Sequence, residues 1–559
     1  MTVPPDPDVE RIYTLLRCNY GAYNPDSECI SQLLSNTERD IRLGNVGELE
    51  QRGLEWKASR YRSLLAPMRK IPPELLVLLF EFFCGEGATF REELWSPPVR
   101  ISHVCAGWRD LARSTPNLWS KLHIEDLSLL HYSPEIVIFR LAMHLELSQQ
   151  TPLDLFIAMN RVSSRYREPV QLIVDMLFAQ SPRWREVNLD LPSFVWKNLD
   201  DLRGKLGLLR FLEISDWDYK PDLQVFETAY SLREIDLSFS AVGLRLPWTQ
   251  ITDITLGCGT GTDALEGMRL ATAARAVTLH KMTLIFFPGE SRRLVHNLHS
   301  LSFVVGLDDP HFHYFLKRLT LHNLASLSIS GDESIPYPAW IGIFNDKYHD
   351  DDSDKSDDED DEDGYEEDEY DDRGNGGSIQ SFLSRSSCTI TSLSLIDFPI
   401  RDYDAIALLS MVPSLSSLTI HEPAYERSVV KPDVEIQNVT VSGRLLDWLT
   451  IKYNHAAPSD TNSPPDLPLR HLRSLDLRVL GTFPAKAIID VVASRCTGND
   501  LAYPGAVGVD KLDEVKVLVL RSTDDMVLDV EELHDSLKAL RNLGLMSVCD
   551  SRPLEKGEL

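Results

Sequence analysis

A six-residue unit, Leu-x-x-Leu-x-Leu or a near relative, recurs through the C-terminal two-thirds of this chain and restricts its fold more than any other feature. It reads Leu209-Arg-Phe-Leu-Glu-Ile214, Leu232-Arg-Glu-Ile-Asp-Leu237, Ile251-Thr-Asp-Ile-Thr-Leu256 and Leu298-His-Ser-Leu-Ser-Phe303. It continues as Leu316-Lys-Arg-Leu-Thr-Leu321, Leu324-Ala-Ser-Leu-Ser-Ile329, Ile390-Thr-Ser-Leu-Ser-Leu395, Leu415-Ser-Ser-Leu-Thr-Ile420 and Leu472-Arg-Ser-Leu-Asp-Leu477. Weaker copies stand at Trp184-Arg-Glu-Val-Asn-Leu189 and Ala274-Arg-Ala-Val-Thr-Leu279. From 189 to 303 the last positions step by 25, 23, 19, 23 and 24 residues. Self-similarity at such a period means stacked structural repeats.

The final Leu-x-Leu of each unit is a short strand, in which successive side chains face opposite ways. One repeat cannot bury its leucines alone, but stacked repeats can. The period of about 20–29 residues is that of leucine-rich repeats. Intervening stretches such as 405–411 read as helices on the convex side. The x positions, among them Glu213, Asp236, Thr255, Ser302, Thr320, Ser394, Thr419 and Asp476, fall on the exposed strand face. They are small or acidic, whereas binding hot spots favour Trp, Tyr and Arg; this face and the convex loops or rim remain alternative binding surfaces. Uneven spacing and the missing asparagine ladder predict an irregular horseshoe. Between Ile329 and Leu395 lie 66 residues, an excess of about 40 over one repeat. Residues 350–372 hold 17 Asp/Glu and one Lys, which is −16 of the chain's net −29. Such a segment buries too little apolar surface to offset its ordering entropy. The reading is an acidic disordered loop over 349–378, either solubilising or a regulatory contact, with Ser353 and Ser356 as phosphorylation candidates.

The N-terminal 66 residues read as a polar lead-in, helical and partly disordered. Ile41, Val46, Leu49 and Leu54 have loose helical spacing, interrupted by Gly44, Gly47 and Gly53, which disfavour a helix interior. The stretch 56–68 is a better helix. The character then changes. Ile71-Pro-Pro-Glu-Leu-Leu-Val-Leu-Leu-Phe-Glu-Phe-Phe83 has proline at its first helical turn and is apolar nearly all round. Leu75, Leu76, Leu79, Phe82 and Phe83 share a broad face. A helix this apolar is either core or covered by a partner. A connector, 84–98, leads to a second amphipathic helix through Ile101, Val104, Cys105, Trp108, Leu111 and Ala112. Ser114 or Thr115 then caps a short third helix beginning at Pro116. So small a module gains stability by docking onto something else.

Other function classes find little footing. Hydrophobic residues at 43% and charged residues at 25% are ordinary for a globular chain. The remaining −13 outside the acidic tract repels phosphate backbones, so no nucleic-acid partner is expected. No apolar run is long enough to span a bilayer, and the first residues carry no secretory leader, so no membrane partner is expected. The eight scattered cysteines form no Cys-x-x-Cys pair, which fits free thiols in the cytoplasm or nucleus. Without a leader, the sequon at Asn438 is fortuitous. His103 and Cys105 have no further ligands near them for a metal. Gly257-Cys-Gly-Thr-Gly-Thr262 lacks the Lys-Ser/Thr ending of a phosphate loop and reads as a repeat turn. No catalytic motif is found, and no cofactor is expected.

The residues Ile71-Pro-Pro-Glu-Leu-Leu, Leu79-Phe80 and Phe83, followed by Ile101-Ser-His-Val-Cys-Ala-Gly-Trp-Arg-Asp-Leu111 and Leu118-Trp119, resemble an F-box. The layout is similar to the large F-box families of mushroom-forming fungi, with a helical N-terminus, the F-box and degenerate leucine repeats. The connector is longer than the usual F-box spacing. The resemblance implies an α/β protein: a lead-in (1–66), a small three-helix F-box (67–124) and an irregular leucine-rich-repeat solenoid (125–548). It implies a non-catalytic substrate-recognition subunit of a Skp–cullin–F-box ubiquitin ligase. Ile71, Pro72, Glu74, Leu75, Leu76 and Leu79 would contact the Skp-family adaptor, and through it a cullin–RING ligase. Val104, Trp108, Leu118 and Trp119 would either pack the module or border the adaptor. The repeats would bind the target protein. The alternative is an interaction scaffold acting outside ubiquitination.

Overall fold

The computed structural model describes residues 7–17, 27–44, 47–85, 87–89, 96–125, 133–160, 164–215, 223–238, 243–257, 260–280, 293–305, 312–331, 378–398, 400–423, 440–452, 467–496, 508–521, 528–541 and 545–553. The chain is mixed α/β, and its long strands are parallel. It divides into two compact units: Met1–Leu232 with Arg245–Pro247, and Arg233–Leu244 with Trp248–Leu559.

The first unit opens with helices α1 (Pro7–Arg17), α2 (Ser27–Leu43) and α3 (Glu48–Leu64), which bury Ile12, Ile30, Tyr61 and Leu64 together. The loose helix expected over 41–54 is divided between two helices: Ile41 lies in α2, Leu49, Gly53 and Leu54 lie in α3, and residues 45–46 are outside the described residues. Gly44, just beyond α2, takes the left-handed conformation (φ +63°) that suits glycine at a helix end, and Gly47 stands at the α3 N-cap. Then come α4 (Pro73–Phe83), the two-residue strand β1 (Ala88–Thr89), α5 (Pro97–Ser102) and α6 (Ala106–Arg113). The single second helix expected through Ile101–Ala112 is thus two helices. Cys105 is extended between them, and its Sγ accepts from the Trp108 N–H to cap α6. The expected third helix is one 3-10 turn, Pro116–Trp119. Ser114 and Thr115 do not cap it; both hydroxyls donate back to the Leu111 carbonyl and close α6.

Strands β2 (Lys121–Ile124), β3 (Leu153–Ala158), β4 (Trp184–Asp190) and β5 (Phe211–Ile214) follow, with α7 (Pro134–Leu147) before β3 and α8 (Arg167–Phe178) before β4. The sheet order is β1-β2-β3-β4-β5. The sheet therefore begins inside the 67–124 segment, and the long connector supplies β1. The expected boundary at 124 is not a break in packing, because Lys121–Ile124 pairs residue for residue with Asp154–Ile157.

In the second unit, β6 (Glu234–Leu237), β7 (Asp253–Gly257), β8 (Ala276–His280), β9 (Leu294–Val295), β10 (Ser300–Val305), β11 (Leu319–Thr320), β12 (Ser326–Gly331), β13 (Ser392–Ile396), β14 (Ser417–His421), β15 (Ser474–Val479), β16 (Glu514–Arg521) and β17 (Met546–Pro553) succeed one another. All but β9 and β11 join one parallel ladder in chain order. The Leu-x-Leu positions lie in strict register. Leu301 pairs with Leu327, Leu393, Leu418 and Leu475 in turn, and Phe303 with Ile329, Leu395, Ile420 and Leu477. All of them are buried, and the x residues between them are not. Each buried leucine contributes about 1.5–3 kcal/mol, and a one-residue slip would turn the whole set toward water.

Two readings of the repeats need correction. Leu316-Lys-Arg-Leu-Thr-Leu321 is not a ladder strand: its first residues end the helix Phe312–Arg318, and Leu319–Thr320 pairs with Leu294–Val295 in a separate two-stranded sheet. Thr320 is buried rather than exposed. The physical reason is spacing, since this copy ends eight residues before Ile329 and leaves no room for a turn of chain between strands. By contrast, the 66-residue gap does separate ladder neighbours, because Ile329 pairs directly with Leu395. Most of that gap, including acidic residues 349–377, lies outside the described residues; Ser378 opens the helix Ser378–Ser386. Of the stretch Gly257–Thr262, Gly257 ends β7, Thr260 caps the helix Gly261–Leu270 through a capping box with Asp263, and Gly261 and Thr262 are helical; Cys258 and Gly259 lie outside the described residues.

A recurring device seals the carbonyl ends of these segments. Arg495, fully buried in the last turn of the helix Ala485–Cys496, donates to the carbonyls of Leu449 (2.9 Å), Pro468 (3.0 Å) and Leu469 (2.9 Å). Arg385 donates in the same way to Leu316 and Leu319, and Arg183 to Thr151. A forked guanidinium satisfies several orphan carbonyls at once.

Candidate functional site

Helix α4 is where an apolar sequence meets water. Its eleven residues include one charged side chain in the first turn, Glu74, and another at Glu81. Proline at the first turn is tolerated, and the chain leaves the helix at Cys84. The inward face is narrow. Leu76 and Phe80, each 3% exposed, pack with Cys84, Val99, Ile101, Ala112, Leu118 and Trp119. The outward face is wide: Leu75 is 52% exposed, Leu78 60%, Leu79 48%, Phe82 90% and Phe83 56%. Val104, between α5 and α6, adds a further side chain at 62%. Scattered exposed leucines are ordinary, but five in eleven residues form a continuous apolar stripe of the kind that marks an interaction surface.

The expected contact residues therefore divide. Leu75 and Leu79 are on the outward face, with Glu74 exposed at the helix start. Ile71 and Pro72 are half-buried, and Ile71 leans on the module's core. Leu76 is corrected: its side chain is enclosed by its own module and has no surface left for an adaptor, because it is the residue through which α4 is held to α5 and α6. Of the residues left open between core and rim, Leu118 and Trp119 are core, Trp108 is half-buried against Phe80 (ring centroids 4.9 Å), and Val104 faces out. Leu78 belongs to the outward face and was not among the expected contacts. Uniform apolarity along α4 conceals which side is which.

The module is locked from below by polar contacts. Trp119 Nε1 donates to the Ala112 carbonyl (2.8 Å), and its ring meets the edge of His144 at 5.1 Å. His144 is wholly buried. Its Nδ1 donates to the Arg140 carbonyl (2.8 Å), which leaves Nε2 to accept from the Ser96 hydroxyl (3.0 Å). Burial, opposed only in part by the Arg140 carbonyl bond, lowers its pKa from 6.5 to about 4, so the ring is neutral. Burial likewise pushes the Cys84 thiol up to about 12, which removes it from thiolate chemistry.

The sheet faces differ between the two units. In the first, the x positions of β2–β5 align as His123, Phe156, Asn188 and Glu213. The row before them is Lys121, Asp154, Glu186 and Phe211. These residues line a depression of about 370 Å³ in which His123 and Phe156 meet edge to face at 4.0 Å and Arg185 holds Asp154 (Nε to Oδ1, 2.9 Å). Phe156 was missed because β3 does not carry the full repeat signature; the alternation Leu153, Leu155, Ile157 was its one signal. In the second unit, Ser300, Ser326, Ser392, Ser417 and Ser474 stand side by side, and the neighbouring row runs Ser302, Ser328, Ser394, Thr419, Asp476. Asp236, at the β6 x position, is raised to about 6 by burial.

Among the described residues, no group of three His, Cys, Asp or Glu is placed to hold a metal ion, and no helix is long and apolar enough to cross a membrane. No protein-family model matches the chain, and no curated protein matches it.

Proposed function

We propose that this chain is the non-catalytic substrate-recognition subunit of a Skp–cullin–F-box ubiquitin ligase. The outward face of α4 docks the Skp-family adaptor. The in-register leucine strands are turns of an irregular leucine-rich-repeat solenoid that holds the target protein. The carrying observation is the α4 stripe: five apolar side chains, 48–90% exposed in the folded chain, on a helix fixed by Leu76 and Phe80. Burying such a stripe under an adaptor is helix-in-groove recognition. The chain then works by proximity, since tethering a target near a charged ubiquitin carrier raises the local concentration of its lysines.

Co-purification tests the reading. Tagged full-length protein is expected to recover the host's Skp-family adaptor, and Leu75→Asp with Leu79→Asp to abolish that recovery while the fold is kept. Recovery of the adaptor at equal yield by the double variant, or no recovery by wild type, overturns the docking role. Comparing captured proteins with and without proteasome inhibition separates a ligase receptor from a scaffold: targets of a receptor accumulate on inhibition in an α4-dependent way.

A further inference from the structure

We propose that the cleft between α5–α6 and α7 is a separate binding site for a short acidic peptide segment carrying a bulky apolar side chain. The cleft holds about 320 Å³, enough for one or two side chains rather than a whole helix. Its floor is apolar, built from Val99, Trp119, Met143 and Leu147, and Phe139 of α7 stands 70% exposed at the rim. Around this floor the polar lining consists of Ser102, His103 and three arginines. Arg109 and Arg113, four residues apart on α6, both face the cleft and are exposed, and Arg140 lines it from α7. Among the described residues no Asp or Glu lines it, although the chain as a whole carries a net charge of −29.

Charge complementarity selects the occupant. Side chains at i and i+4 on a helix are neighbours, and like charges there repel; neither Arg109 nor Arg113 has an ion-pair partner among the described residues. A carboxylate between them removes the repulsion and gains forked hydrogen bonds. A long phosphate polymer would meet the acidic remainder of the surface, whereas a few carboxylates sense only the local field, which salt screens beyond about 8 Å. The apolar floor adds the second requirement, since a lone carboxylate would leave it empty. The site does not rest on the adaptor reading: a different face of α6, through Ala112 and Trp108, packs toward α4, and α7 lies beyond the F-box-like segment.

The test uses full-length protein and fluorescence anisotropy with a labelled peptide, Asp-Glu-Leu-Glu-Phe-Glu-Asp, beside its Asn/Gln counterpart. Wild type is expected to bind the acidic peptide at least about tenfold more tightly, with the preference fading toward 1 M salt. Arg109→Gln with Arg113→Gln is expected to erase the preference, and Phe139→Ser to weaken both peptides alike; all these side chains are exposed enough to be changed without unfolding the module. Leu75→Asp with Leu79→Asp is expected to leave peptide binding unchanged, so that failure here and failure of adaptor docking are separate results. Equal binding of the two peptides, an unchanged preference in the double Gln variant, or binding of phosphatidylserine vesicles without binding of the peptide would overturn the proposal.

Discussion

Leu76 and Leu79 sit on the same helix, three residues apart, and the same truncation should have opposite consequences at the two. Leu→Ala removes three carbons, worth about 0.8 kcal/mol each when fully buried. At Leu76, 3% exposed and enclosed by Val99, Ile101, Leu118 and Trp119, the full transfer term is lost and a cavity is added, for about 2–5 kcal/mol in all. At Leu79, 48% exposed, roughly half of that burial exists and no cavity is left behind, so about 1 kcal/mol is the upper bound. The assay is amide hydrogen exchange across Pro73–Phe83 in the intact chain, where local opening is read directly. With a factor of ten for each 1.4 kcal/mol, Leu76→Ala should lower protection by about 30-fold to several thousand-fold, and Leu79→Ala by about fivefold at most. Adaptor recovery should respond in the reverse sense, falling with Leu79→Ala while protection barely changes. Equal loss of protection in the two variants would mean that Leu79 is enclosed by its own chain, and the docking argument would fail with it.

The remaining predictions concern what stabilises each unit internally. Arg495→Leu strands the carbonyls of Leu449, Pro468 and Leu469 and should cost about 3 kcal/mol or more, read as faster exchange across Gly443–Leu449; the exposed Arg444→Leu should stay within about 0.5 kcal/mol. For His144, the unfolded ring takes up a proton near pH 6.5 and the folded ring only near about 4. Its contribution is therefore fully present above pH 6.5 and is lost as pH falls toward 4, about 3 kcal/mol in total. Exchange of Pro134–Leu147, corrected for intrinsic rates, should show this loss in wild type between pH 7 and 5, and His144→Gln should flatten it; an equal slope in both would exclude His144 as the cause.

Periodicity was a good guide wherever one side chain pattern has one solution. A strand that alternates Leu-x-Leu must turn its leucines inward, and a stack of such strands must keep register, as the Leu301-to-Leu475 row does. The two-residue β1 and β9 and four longer strands, β2, β3, β16 and β17, escaped that pattern; β2, β3 and β16 turn leucine, isoleucine or valine inward without the full motif, while β17 turns Ser547 inward and leaves Met546 and Val548 exposed. The proline start of α4 was legible for the same local reason.

What no local pattern could supply was a choice between equivalents. Leu316-x-x-Leu-x-Leu321 has the same letters as its neighbours, yet its proximity to the next strand turns it into a helix end and a side pairing. Along α4 nearly every residue is apolar, so amphipathicity has no direction to report. That the helix would need cover followed from composition alone. That Leu76 and Phe80 meet Trp119 while Leu75, Leu79 and Phe82 meet solvent followed from where α5, α6 and the Pro116–Trp119 turn come to lie. Hydrophobicity is a property of residues, and burial is a property of neighbours brought from far along the chain.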